Sequence, residues 1–143
     1  MKEYNLPEST GIEFEDRIIE KCGCVCIERW GAGAFSISTV SEDKLKGTDF
    51  FVLGVPIDVT LNIKNKTHTT VSDFTIDLGF VKVTFGVRFG NGRVKFETPV
   101  LVLGFETLLD RKDVMKLTNL ISKSELIEIL NKGMDFYFET VAE

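Results

Sequence analysis

Hydrophobic and polar positions alternate in two different rhythms along this chain, and the change of rhythm predicts its elements. Thr10 to Cys22 repeats its apolar residues with a helical period, and Ser9 or Thr10 can cap its start with Glu13 completing a capping box. Gly23 is expected to stop that helix, and Cys24 to Trp30 then alternates as a strand. Phe35 to Val40 predicts a short strand, followed by a polar connection through Gly47. Phe50 to Leu53 and Val55 to Lys64 are β-rich runs meeting at Gly54. Val81 to Phe89 and Arg93 to Leu103 flank Gly90-Asn91-Gly92, a strong hairpin signal, with Pro99 expected at an edge or a bulge. Val114 to Ile121 predicts a short helix, and Ser124 to about Val141 a longer one with Ser124 as its N-cap. The implied architecture is α/β (α+β): a mixed central β-sheet with an N-terminal and a C-terminal helix packed on it.

Two placements conflict with a purely apolar core. On the first helix, at about 100° per residue, Glu15 falls inside the arc occupied by Phe14, Ile18, Ile19 and Cys22. A carboxylate there must be paired, meet a cation or reach water at the rim, and Arg17 and Arg29 are candidate partners. The second conflict lies in the hairpin around Gly54. If Leu53-Gly54 is a two-residue turn, Phe50 pairs with Ile57 and Asp49 faces Asp58 across the strands. Their Cβ atoms would be about 5 Å apart, a repulsive arrangement that a divalent cation would relieve. Continued alternation would put Thr60, Asn62, Lys64 and Lys66 on the face of Asp58. A three-residue loop would instead shift the register by one and send the acids to opposite faces, and a solvated polar face is the plainer alternative.

These residues arrive in an order that resembles the PD-(D/E)xK nuclease superfamily, which includes Holliday-junction resolvases and restriction-type endonucleases. The likeness rests on Gly11-Ile-Glu-Phe14-Glu15 in the first helix, Gly47-Thr48-Asp49 at the opening of a strand, and the acids and lysines of the following strand. It spans about residues 10–66. Asn62-Ile63-Lys64 has the spacing of the third motif with an amide for the carboxylate, while Asp58-Val59-Thr60 has the acid without the lysine. The resemblance implies a restriction-endonuclease-like fold, with Glu15, Asp49, Asp58 and Lys64 as catalytic residues and Asp49 and Asp58 holding Mg²⁺ or Mn²⁺. It implies hydrolysis of DNA phosphodiester bonds, with Lys66, Arg88, Arg93 and Lys95 contacting phosphates. The alternatives are a catalytically inactive nuclease-like module that binds nucleic acid or protein, and an unrelated α+β domain with a small-molecule pocket.

Length and composition narrow the setting. The chain of 143 residues fits one domain, 1–143, and 43% hydrophobic with 27% charged residues is ordinary for a folded protein. No stretch approaches the roughly 18 apolar residues of a membrane helix. With no signal-peptide pattern in MKEYNLPEST, a cytoplasmic location is expected. Cys22, Cys24 and Cys26 stand too close together for a disulfide framework and read as small core side chains. Net charge is −5, yet residues 44–95 hold eight Lys/Arg against four Asp/Glu, a local +4 around the candidate site. That excess suits a polyanionic partner such as DNA; a homodimer is also open. His68, the one histidine, is expected in a structural or solvated loop position. Gly31-Ala-Gly33 lacks the Lys-Ser/Thr of a phosphate loop and reads as a turn.

Overall fold

The computed structural model describes residues 8–39, 47–107 and 116–142. Helix α1 (Glu8–Trp30) comes first, then a 3₁₀ turn at Ala32–Ala34 and strands β1 (Phe35–Ile37), β2 (Phe50–Val52) and β3 (Val55–Thr60). A second 3₁₀ turn (Ile63–Asn65) leads to β4 (Thr69–Asp77), β5 (Val81–Gly90) and β6 (Lys95–Thr107). The chain ends in α2 (Leu117–Leu120) and α3 (Lys123–Ala142). The six strands form one mixed sheet in the order β1-β2-β3-β6-β5-β4, in which only the β3–β6 pair is parallel. The α+β arrangement expected from the sequence is therefore present, with an N-terminal and a C-terminal helix on a mixed sheet.

Strand periodicity divides the sheet into two unlike faces. Ile57 and Val59 of β3, Val83, Phe85 and Val87 of β5, and Leu101, Leu103 and Phe105 of β6 form one face. They pack with Phe14, Ile18, Cys22 and Cys26 of α1 and with Leu126, Ile129, Leu130 and Tyr137 of α3. Phe14 meets Phe105 edge-on, with ring centroids 5.6 Å apart. The opposite face carries Asp58, Thr60, Thr84, Gly86, Arg88 and Gly104. Among the described residues, no helix is long and apolar enough to cross a membrane.

Several local expectations are corrected. α1 runs through Gly23 and converts the expected Cys24–Trp30 strand into helix. The heptad-like burial of Ile18, Cys22, Val25 and Cys26 outweighs the alternation of Cys and Val, which is too short to decide between periods. Gly23 serves close packing: a Cβ there would lie 2.9 Å from the Phe35 ring. Cys22 and Cys26 are core residues as expected, whereas Cys24 is exposed. β4 has no counterpart among the expected strands. Most of its side chains are exposed, and a bulge between Val71 and Thr75 breaks its alternation. Ser72 plugs that bulge, its hydroxyl accepting the Phe85 N–H at 3.2 Å and donating to Phe74 O at 2.7 Å.

Other expectations hold. β5 and β6 form the hairpin around Asn91-Gly92, where Asn91 Oδ1 accepts the N–H groups of Arg93 and Val94. Pro99 lies within the register shift between the Arg88–Val100 and Gly90–Lys95 pairs, where the missing N–H breaks no ladder bond. Its carbonyl accepts the Tyr137 hydroxyl at 2.8 Å. The cap of α3 falls on Ser122 rather than Ser124: Ser122 Oγ accepts the Glu125 N–H at 3.1 Å and Glu125 Oε1 accepts the Ser122 N–H at 2.8 Å. The caps expected at Ser9, Thr10 and Glu13, the connection 41–46 and the start of the 114–121 helix lie outside the described residues or side chains.

Candidate active site

The turn between β2 and β3 sets the geometry of the acids. Leu53 and Gly54 both have positive φ, 50° and 84°, as a type I′ two-residue hairpin requires. The register is Phe50↔Ile57 and Val52↔Val55, so Asp49 lies opposite Asp58. The shifted pairing that would separate the acids does not occur.

Asp49 is built into the end of the ladder. Its N–H donates to Ile57 O at 2.8 Å, and its Oδ2 accepts the Val59 N–H at 2.8 Å. Its carbonyl accepts both the N–H and the hydroxyl of Ser38. Asp58 is 4% exposed and sits mid-strand, paired in parallel with Val102 of β6. Burial, followed by the negative charge of Asp58, pushes the Asp49 carboxyl up to about 8. The Val59 N–H pulls the other way, and Glu15 adds a further upward push from α1. Asp58 is also raised by burial, opposed first by Lys66.

The amine beside these acids belongs to Lys66. Its Nζ lies 3.0 Å from Asp58 Oδ2. The approach is off the direction of a hydrogen bond, so this buried oxygen has a neutralising charge without a directed donor. Thr48 Oγ1, in the fully buried step before Asp49, also has no hydrogen-bond partner.

Lys64 does not join the acids as alternation predicted. β3 ends at Thr60, whose hydroxyl accepts the Asn62 N–H at 3.0 Å, and the chain turns into the Ile63–Asn65 3₁₀ helix. Asn62 and Lys64 are exposed there. The amide at Asn62 therefore lies in the turn beyond β3, whereas Asp58 lies within the strand. The signal for this break was Asn62, a turn-forming residue inside the run read as strand, with Asn65 just beyond its end.

The remaining candidates separate. Glu15 is half-buried and its charge reaches Asp49. Arg88 is half-buried beside Asp58 and lowers the Asp58 pKa, with Nε donating to Thr67 O at 2.9 Å and Gly90 O at 3.1 Å. Its Nη2 donates to Thr67 Oγ1 at 3.3 Å. Arg93 and Lys95 are exposed at the β5–β6 turn, and His68 is exposed with φ 58°.

Among the described residues, no three His, Cys, Asp or Glu side chains are grouped to hold a metal ion. Asp49 and Asp58 remain as a donor pair. Mg²⁺ commonly takes one or two carboxylates and keeps its other ligands as water, so a pair suffices. The undirected Oδ2 of Asp58 fits that role. Set against family models, curated proteins and solved structures, the chain matches none of them.

Proposed function

We propose that this protein is a metal-dependent endonuclease of restriction-endonuclease-like fold that hydrolyses DNA phosphodiester bonds. The observation that carries the reading is the juxtaposition of Asp49 and Asp58 on adjacent strands with the Lys66 amine 3.0 Å from Asp58. Asp58 is buried and Asp49 half-buried, both pKa values are raised, and a bound cation would remove the repulsion that opposes ionising the two together. Asp49 and Asp58 would hold Mg²⁺ or Mn²⁺, with Glu15 close enough to add to the negative field. The chemistry that such an ion supplies is polarisation of the phosphodiester and activation of water at neutral pH.

The chain's own groups have separable tasks. The backbone N–H of Val59 fixes one Asp49 oxygen and so aims the other. Lys66 holds positive charge against Asp58 and is positioned to orient water or offset charge developing on phosphorus. Lys64, Arg93 and Lys95 are exposed cations available to DNA phosphates. The three cysteines are free, which suits a reducing cytoplasm.

A second reading is a nuclease-like module that binds nucleic acid or protein without cutting. The Lys66–Asp58 ion pair favours it, because it neutralises one acid from within the chain. Cleavage of branched, single-stranded and duplex DNA with Mg²⁺ or Mn²⁺ separates the two. Activity lost in Asp49→Ala and Asp58→Ala supports the nuclease; wild-type binding without cutting, equal in both variants, rejects it.

A further inference from the structure

Residues 61–68 cross the sheet face that carries Asp58, and both ends of this strap are fastened. At one end the Ile63 side chain fills a hollow that exists because β6 and β5 have glycines beneath it. A Cβ on Gly104 would lie 2.8 Å from Ile63 Cβ, and one on Gly86 would lie 2.6 Å from Thr69 Cγ2 at the start of β4 and 3.2 Å from Ile63 Cδ1. Both positions are in strand interiors, where glycine otherwise weakens a sheet, so close approach of a second segment accounts for them. At the other end the Arg88 fork grips Thr67 by its carbonyl and its hydroxyl, and Phe89 N–H donates to His68 O at 2.9 Å. Lys66 is the residue next to the fork, and it is the one whose amine reaches Asp58.

We propose that Arg88 is a positioning residue: its guanidinium locks the strap at Thr67 and thereby delivers the Lys66 amine to Asp58. Nε and one N–H of Nη2 are already engaged by Thr67 and Gly90, which leaves less of the fork to grip a DNA phosphate. The remaining nitrogen, Nη1, lies on the Asp58 side: a Cβ on Gly47 would lie 3.7 Å from both it and Asp58 Oδ2. A lysine at this position keeps the charge but has no planar fork to hold two carbonyls and a hydroxyl at once. The catalytic consequence rests on the nuclease reading; the positional one does not.

The test compares wild type, Arg88→Lys and Gly104→Ala, the last displacing Ile63 from the opposite end of the strap. Each is checked for folding by circular dichroism. Lysine acetylation by a water-soluble ester, read by mass spectrometry with Lys64 and Lys95 as internal references, reports whether Lys66 is still held. Cleavage kinetics and DNA affinity across a salt series report on function. The expected result is Lys66 acetylation raised several-fold in both variants. In Arg88→Lys, kcat should fall by about 10²-fold, the effect of a roughly 1 Å misplacement, with DNA affinity and its salt slope unchanged. Lys66 protected as in wild type, or a salt slope reduced by about one phosphate contact with kcat retained, would overturn the assignment. If wild type cuts no DNA, the nuclease reading fails while the acetylation pattern still decides the role of Arg88.

Discussion

The same strands, β3, β5 and β6, present two faces built on opposite principles. Toward the helices, Ile57, Val59, Phe85, Leu101 and Leu103 are fully buried and backed by α1 and α3. On the reverse, Asp58, Thr60, Gly86, Arg88 and Gly104 meet a strap held by the Ile63 plug and by hydrogen bonds that name particular atoms. The first face depends on volume and period, so similar apolar residues would serve. The second tolerates little, because each contact has a donor, an acceptor and a direction. Stability resides mainly in one face and the proposed chemistry in the other.

The largest expected effect falls on the helix side. Phe85→Ala removes a fully buried ring and should lower unfolding free energy by about 3–5 kcal/mol, measured by denaturant titration. Loss below 1 kcal/mol would mean that the apolar face does not carry the fold. On the reverse face, Lys66→Met keeps the aliphatic stem and removes the charge. It should reduce cleavage by about 10²–10³-fold, as loss of a positioned charge-stabilising group does. Because Asp58 would then be buried without its ion-pair partner, cation binding should also tighten its hold on stability, read as a larger Mg²⁺-dependent rise in melting temperature than in wild type. Wild-type cleavage by Lys66→Met would take the amine out of the site.

The two faces differed in the same way when read from sequence. Helical and strand periods disclosed α3 and the β5–β6 hairpin, since burial repeats regularly there. Asp49 opposite Asp58 was one of two registers the sequence allowed, and the positive φ of Leu53 and Gly54 decides for it. The strap was invisible to periodicity. Thr60 ends β3 with a side-chain hydrogen bond from the Asn62 N–H, and the alternation of Leu61 and Ile63 with Asn62 and Lys64 continues past that point without a strand beneath it. Lys66 in place of Lys64 is the outcome of that one break. Cys24–Trp30 failed for the converse reason: seven residues alternate locally while a longer helical period governs their burial.

Titration should move the two faces in opposite directions. Asp49 has its carboxyl raised from 3.8 to about 8, by burial first and by Asp58 second. Below pH 3.8 the folded and unfolded chains both carry the proton. Between there and about pH 8 only the unfolded chain releases it, so this group lowers stability progressively as pH rises, and the loss levels off above the folded value. Asp49→Asn imitates the protonated form. Its stability relative to wild type should therefore increase from about pH 4 to about pH 8, by chemical denaturation across that range. Mg²⁺, competing with the proton, should stabilise wild type more at pH 8 than at pH 6. A stability difference independent of pH would show that Asp49 ionises normally.

The smallest expected effect returns to the helix side and shows how little of its stability is specific. Ser122 and Glu125 form the reciprocal cap of α3, and removing a serine N-cap costs about 1 kcal/mol. Ser122→Ala should lower stability by about that amount and leave cleavage and cation binding unchanged, since α3 packs on the apolar face. Glu125 is held below its ordinary value of 4.5, chiefly by the Ser122 N–H. Its support is thus full above pH 4.5 and fades as pH falls through the lowered value, opposite in sign to Asp49. Glu125→Gln and wild type should converge in stability in acid and separate toward neutrality. If Ser122→Ala altered cleavage as strongly as Lys66→Met, the two faces would be coupled through the sheet, and the division of labour between them would not stand.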